Sequence, residues 1–221
     1  YAEADPTADV EGIDAGRKIC ILADLCFGKN VSPSAITTEG ITHITPADIE
    51  CARALGYKIK LLGRAMRTGP NSVTAFVAPH LISKSAPLAN VDGVMNGISV
   101  RGDAVGEAMF FGPGAGSLPT ASAVAADIID CVRDPQTRTY TGWWPSEPGY
   151  VTAPDKISCR WMVRTASPLA DIAAAFSGVR FINTPNAAAG EYAFVTGYMT
   201  GEELKTKTAN MDVRARYRVL D

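Results

Sequence analysis

The chain has 221 residues, of which 47% are hydrophobic and 20% charged, and a net charge of −2. That apolar share is ample for packed cores in one large or two modest domains, and the near-neutral balance gives no electrostatic footing for nucleic acid or a membrane surface. No apolar run approaches the roughly 18–20 residues of a membrane span, and the acidic start lacks a basic-then-apolar leader, so the expected location is cytoplasmic.

The opening stretch, Tyr1 to Lys18, gathers Glu3, Asp5, Asp9, Glu11 and Asp14 before closing on Arg17 and Lys18. Pro6 and Gly12 mark its first part as loop. Ile13, Cys20, Ala23 and Phe27 recur at helical spacing, which predicts a helix from about Val10 to Phe27. Asp14 and Lys18 then stand one turn apart on an adjoining face. Carboxylates beside a helical lysine suit a ligand that carries an ammonium group and needs a proton moved. The plainer alternative is an acidic loop followed by an exposed helical ion pair.

Thr45-Pro46-Ala47-Asp48 is an N-cap with Pro at the first helical position, opening a helix that stops at Gly56. Two β-rich runs follow, Lys58 to Arg67 and Ser72 to Leu81, separated by a hairpin signal at residues 68–71. Met95 to Arg101 and Glu107 to Phe111 are further strands, with Gly102-Asp103 between them. Gly112-Pro-Gly-Ala-Gly116 then leads from strand to helix, where main-chain amides can approach an anion. Ser117 stands where the dinucleotide fingerprint has its third glycine, and a tight turn that only reverses the chain is the alternative.

Residues 134–155 are rich in Pro, Gly, Thr and Trp and are expected to be a linker anchored by aromatics such as Trp143 and Trp144. Ile157 to Leu220 then reads strand, helix, strand, strand, helix, strand, the ferredoxin-like order. The fold class expected is therefore α/β (α+β): a mixed sheet covered by helices on one face, followed by a βαββαβ domain. Arg214, Arg216 and Arg218 share one face of the last strand and are expected to be solvated. The five cysteines, Cys20, Cys26, Cys51, Cys131 and Cys159, are scattered without a Cys-x-x-Cys pair, and only His43 and His80 are available to join them. Neither a disulfide framework nor a metal site is expected; buried thiols in a reducing compartment are.

The collinear motifs Tyr1-Ala-Glu-Ala-Asp-Pro6, Asp9-Val-Glu-Gly-Ile-Asp-Ala-Gly-Arg-Lys18, Glu39-Gly-Ile41, Leu55-Gly-Tyr-Lys-Ile-Lys-Leu-Leu-Gly63, Val100-Arg-Gly-Asp-Ala-Val-Gly106 and Gly112-Pro-Gly-Ala-Gly116 resemble homoserine dehydrogenase. The resemblance covers roughly residues 1–133. It implies NAD- or NADP-dependent interconversion of L-aspartate 4-semialdehyde and L-homoserine. Lys18 would move the proton with Asp14 beside it, Glu3 would bind the substrate amine with Asp9 and Asp5, and Gly114, Ala115 and Gly116 would face the cofactor.

The same resemblance implies a substrate-binding and dimerisation domain over 1–133, with 113–133 returning to a dinucleotide-binding domain. A linker over 134–155 and an ACT-like regulatory domain over 156–221 follow, with threonine a candidate effector and a homodimer or higher oligomer as the assembly. The sequence starts with Tyr and carries no glycine-rich dinucleotide turn, so the expectation is a fragment that transfers no hydride alone. The apolar side of the helix from Pro119 to Arg133, including Val124, Ile128 and Ile129, would then be exposed, disordered or buried in a neighbouring molecule. The alternatives are another amino-aldehyde oxidoreductase or a non-catalytic amino-acid-binding and dimerisation module.

Overall fold

The computed structural model describes residues 5–135, 142–185 and 188–220. They fall into two compact units, a larger one of residues 5–83, 142–185 and 188–220 and a smaller one of residues 84–135. In chain order the larger unit contributes α1 (Thr7–Val10), α2 (Ile13–Phe27), β1 (Thr37–Thr38), α3 (Pro46–Ala54), β2 (Tyr57–Gly69) and β3 (Ser72–Ser83). The smaller unit supplies β4 (Met95–Gly102), β5 (Gly106–Pro113) and α4 (Ser117–Arg133). The chain then returns with β6 (Arg160–Thr165), α5 (Leu169–Ala175), β7 (Arg180–Ile182), β8 (Tyr192–Val195), α6 (Gly201–Lys207) and β9 (Val213–Leu220).

The larger unit is built on one mixed seven-stranded sheet, with the order β1-β3-β9-β6-β8-β7 and β2 on the remaining edge of β3. β2 and β3 form the long antiparallel hairpin read from the sequence, from Tyr57 opposite Ser83 to Gly69 opposite Ser72. Within the C-terminal segment the order β9-β6-β8-β7 has every neighbouring pair antiparallel, which is the ferredoxin-like arrangement. This segment is joined to the hairpin by β9, which pairs parallel with β3 from His80/Arg218 to Ile82/Leu220. Residues 142–155 also run along the sheet: Val73 donates its amide to the Tyr150 carbonyl at 2.9 Å, and Thr152 donates its own back to Val73 at 2.8 Å. Of the aromatics there, Tyr150 is the buried anchor, whereas Trp144 stands exposed.

Alternation along β6 sorts two cores onto opposite faces. Met162 packs with Tyr217, Val219 and Leu81 beneath Cys51 and Ala52 of α3, while Trp161 and Val163 pack with Phe194, Ile172, Phe176 and Leu204 on the α5 and α6 side. The helices therefore flank the fused sheet, α3 on one face and α5 and α6 on the other. A third cluster, Cys20, Ala23, Val31, Val73, Ala75 and Tyr150, seats α2. Cys20, Cys51 and Cys159 are buried as packing residues; Cys26 and Cys131 are exposed. Among the described residues no helix is long and apolar enough to cross a membrane.

Buried polar groups tie the C-terminal segment to α3. Thr45 and Asp48 form a capping box at the start of α3. The Arg164 guanidinium of β6 donates to Asp48 at 2.9 Å, to Glu191 at 2.7 Å and to Thr45 at 3.1 Å. Burial alone would raise the Asp48 pKa, but the bonds from Arg164 and Thr45 outweigh it and hold the carboxyl below its ordinary value.

The last strand departs from the expected solvated stripe. Arg214 and Arg216 are exposed, but Arg218 is buried, because its stretch of β9 is the part enclosed between β3 and β6.

His80 is fully buried beside Arg218 on β3. Its Nδ1 lies 2.8 Å from the Ala78 carbonyl and its Nε2 lies 3.4 Å from Arg64 Nη1. Those partners fix a neutral ring that donates from Nδ1 and accepts at Nε2. Burial, then the Arg64 charge, pull its pKa down from 6.5 to about 3. The unfolded chain thus takes up a proton below pH 6.5 that the folded chain refuses, and the stability His80 contributes is present above that pH and lost as pH falls towards 3. His80→Leu should flatten the acid limb of a urea-unfolding pH profile by up to one proton, about 1.4 kcal/mol per pH unit. An unaltered slope would show that another group carries it.

Candidate active site

The acidic opening forms two helices where one was expected, because Gly12 between α1 and α2 sits at φ 74°. A side chain there is strained by conformation and by space: an added Cβ would lie 2.8 Å from Val77 Cγ1 and 3.2 Å from Thr38 Cγ2. One turn on, Gly16 keeps the helix close to the side chains of Ile36, Thr38 and Val77, and from the sheet side Gly63 faces Ile19 and the Ala15 carbonyl. Glycines on both surfaces thus let α2 lie close on the β2–β3 hairpin. Gly28, at φ 77°, ends the helix with its amide bonded to the Asp24 carbonyl.

On this platform Lys18 Nζ and Asp14 Oδ2 lie 2.6 Å apart, and the Lys18 side chain is 63% exposed. The pair is therefore formed and open to a ligand. Asp14 lies in the first turn of α2, where its charge also complements the helix dipole. Asp9 is exposed on α1, just before the break. Asp5 has a local task, since its carboxylate accepts from the Thr7 amide at 3.0 Å and the Thr7 hydroxyl at 2.5 Å, bonds that hold its pKa below the ordinary value. Glu3 lies outside the described residues.

Gly114, Ala115 and Gly116 belong to the smaller unit and lead from β5 into α4. Gly114 lies against the Asn96 side chain, whose terminal nitrogen would stand 2.3 Å from an added Cβ and would have to shift. Gly116, at φ 116°, is the N-cap of α4 and offers no side-chain acceptor, which leaves the Ser117 and Leu118 amides without a side-chain cap, while Pro119 has no N–H. α4 buries none of its described residues, and Val124, Ile128, Ile129 and Val132 are exposed, one of the three outcomes expected for this face. Among the described residues no three His, Cys, Asp or Glu side chains are grouped to hold a metal ion.

Sequence reasoning assigned no role to Gly40, Glu39 or Arg218. Gly40 lies against α1, with a Cβ position 2.7 Å from the Val10 carbonyl oxygen, and Glu39 pairs with Arg218 at 3.1 Å. The Glu39-Gly-Ile run was visible as a motif, but its partner is 179 positions away.

The homoserine dehydrogenase family model matches residues 1–129, the stretch that contains α1, α2, the hairpin and most of the smaller unit. The chain belongs to the homoserine dehydrogenase family. The homoserine dehydrogenase of Neisseria gonorrhoeae is 55% identical over 133 residues, which is 60% of this chain and 30% of that protein. That of Mycobacterium leprae is 44% identical over 187 residues, covering 81% of this chain and 41% of the relative. The crystal structure of a homoserine dehydrogenase from Thiobacillus denitrificans superposes with a TM-score of 0.83 at 34% identity, covering all of this chain and 56% of that one. The chain thus spans about a third of the curated relatives it matches first and about half of the solved structure. The structural likeness extends through the C-terminal βαββαβ segment, beyond the 129 residues of the family match.

The platform should be less tolerant than the pair it carries. Gly12→Ala is expected to lower the unfolding free energy by about 1–3 kcal/mol through left-handed strain and displacement of Val77. Lys18→Ala should change it by less than about 0.5 kcal/mol, since an exposed i,i+4 pair contributes little. Urea titration of both variants checks the contrast, and equal losses would contradict it.

Proposed function

We propose that this chain supplies the substrate-binding part of a homoserine dehydrogenase, which interconverts L-aspartate 4-semialdehyde and L-homoserine with NAD or NADP. The carrying observation is the Lys18–Asp14 pair, formed and accessible on a helix held by the family's own motif. The nicotinamide, when bound, supplies or accepts the hydride. The chain's residues handle charge. Lys18 gives a proton to the alkoxide oxygen as the aldehyde is reduced and takes one from the hydroxyl in the reverse direction, while Asp14 orients the ammonium. Glu3 meets the substrate ammonium, with Asp9 and Asp5 adding negative charge nearby. Open amides at the start of α4, following Gly114, Ala115 and Gly116, suit the negatively charged part of the cofactor.

On the same reading residues 1–133 are the catalytic and dimerisation part, 134–155 the connection, and 156–221 an ACT-like module that pairs subunits or takes an amino-acid effector such as threonine. Exposed apolar side chains on the β4–β5 hairpin, among them Phe110 and Phe111, favour a subunit contact there. The enzyme is cytoplasmic in this account.

In the full-length enzyme Lys18→Ala should lower kcat by about 10²–10⁴-fold with the KM for NAD(P) nearly unchanged, the mark of a lost proton-transfer group. Normal turnover would remove Lys18 from the mechanism. Glu3→Gln should chiefly raise the KM for homoserine; a wild-type KM would remove that assignment.

A further inference from the structure

Residues 39–42 join parts of the larger unit that are distant in sequence. The Glu39 amide donates to the Val77 carbonyl at 2.8 Å, seating this segment on β3 beyond β1. The Ile41 amide donates to the Val10 carbonyl at 2.8 Å, and the Thr42 hydroxyl donates to the Glu11 carboxylate at 2.9 Å. Between them Gly40 approaches so closely that a Cβ would stand 2.8 Å from Glu11 Cα. The end of α1, immediately after Asp9, is thus bonded to this segment.

The other end of the connection is Arg218. Its side chain is 6% exposed, and its guanidinium lies over Trp161 at 4.7 Å and Phe76 at 5.1 Å. From that stack Nη1 donates to Glu39 at 3.1 Å and Nη2 to Asp155 at 3.4 Å. Asp155 also meets Lys205 of α6. A planar fork held on two rings loses little further freedom when it bonds, so Arg218 is a rigid anchor. Glu39 is fixed by its amide on β3 and by its carboxylate on β9.

We propose that Glu39 and Arg218 are positioning residues for the amino-acid substrate. They hold segment 39–42, which holds the end of α1 and thereby places Asp9 relative to Asp14 and Lys18 across the Gly12 break. Neither residue touches the reacting atoms. The inference rests on the homoserine dehydrogenase reading above, and it makes the final strand of the chain part of the substrate site's geometry.

The test uses the full-length enzyme with Glu39→Gln, Arg218→Met, the double variant and Arg218→Lys. Each of the first two should raise the KM for homoserine about tenfold, because slight misplacement of a binding group is costly, while the KM for NAD(P) stays within about twofold. The double variant should be no worse than the worse single, as coupled partners behave, and Arg218→Lys should recover part of the loss. Hydrogen exchange of the amides of residues 7–12 should quicken in the same variants, a readout independent of turnover. Unchanged KM for homoserine together with unchanged exchange overturns the proposal, even where Tm falls, since that pattern marks a purely structural pair. Failure of the unsubstituted enzyme to oxidise homoserine overturns the functional reading instead, and the exchange experiment still decides whether the segment holds α1.

Discussion

Everything in the larger unit depends on how one edge of β3 is shared. β2 occupies the opposite edge throughout, so β1 and β9 must take the remaining one in turn: β1 at Phe76 and Val77, β9 at His80 to Ile82. Pro79, which has no N–H to offer a neighbour, falls in the gap between them. Because β9 is also the last strand of the ferredoxin-like segment, this sharing makes one sheet from two sequence-distant halves. β3 is consequently buried from Val73 to Ile82, the continuous apolar run that a strand covered on both faces requires.

Fusing the sheets buries charge, and the two arginines involved are accommodated differently. Arg164 enters a set of oxygen acceptors, Asp48, Glu191 and Thr45, so its charge is compensated at once. Arg218 shares its face with Arg64 and the neutral His80 around Phe76, where like charges would repel. Its guanidinium is tolerated because it lies flat on two rings and reaches carboxylates at Glu39 and Asp155. Removing either partner of a buried pair leaves an uncompensated charge, so such contacts are costly to break even where they add little net stability.

Periodicity and caps made much of this legible. The hairpin, the Thr45 cap, the α4 stripe and the βαββαβ order are local signals, each carried within about one element. The sequence-distant links were not. A strand of alternating arginines resembles a solvated face until the register with β3 is known, and that register sets Arg218 apart from Arg214 and Arg216. Similarly, Gly12 was recognised as a loop residue, but only its left-handed backbone, at φ 74°, shows that the helix breaks there. The proposed site residues were legible as chemistry, since Asp14 and Lys18 are helical neighbours by spacing; the support beneath them was not.

The site thus divides labour between accessibility and rigidity. The Lys18–Asp14 pair lies exposed, as its proposed proton-transfer role requires, and an exposed i,i+4 pair contributes little to stability. An exposed pair cannot hold its own geometry, because long side chains in water retain rotamer freedom. The constraint therefore has to come from the backbone: glycine contacts press α2 onto the hairpin, and segment 39–42 holds α1 from the side. The buried side of that support ends on Arg218, so on the positioning role proposed for Glu39 and Arg218 the geometry of an open site derives from a guanidinium buried against two rings.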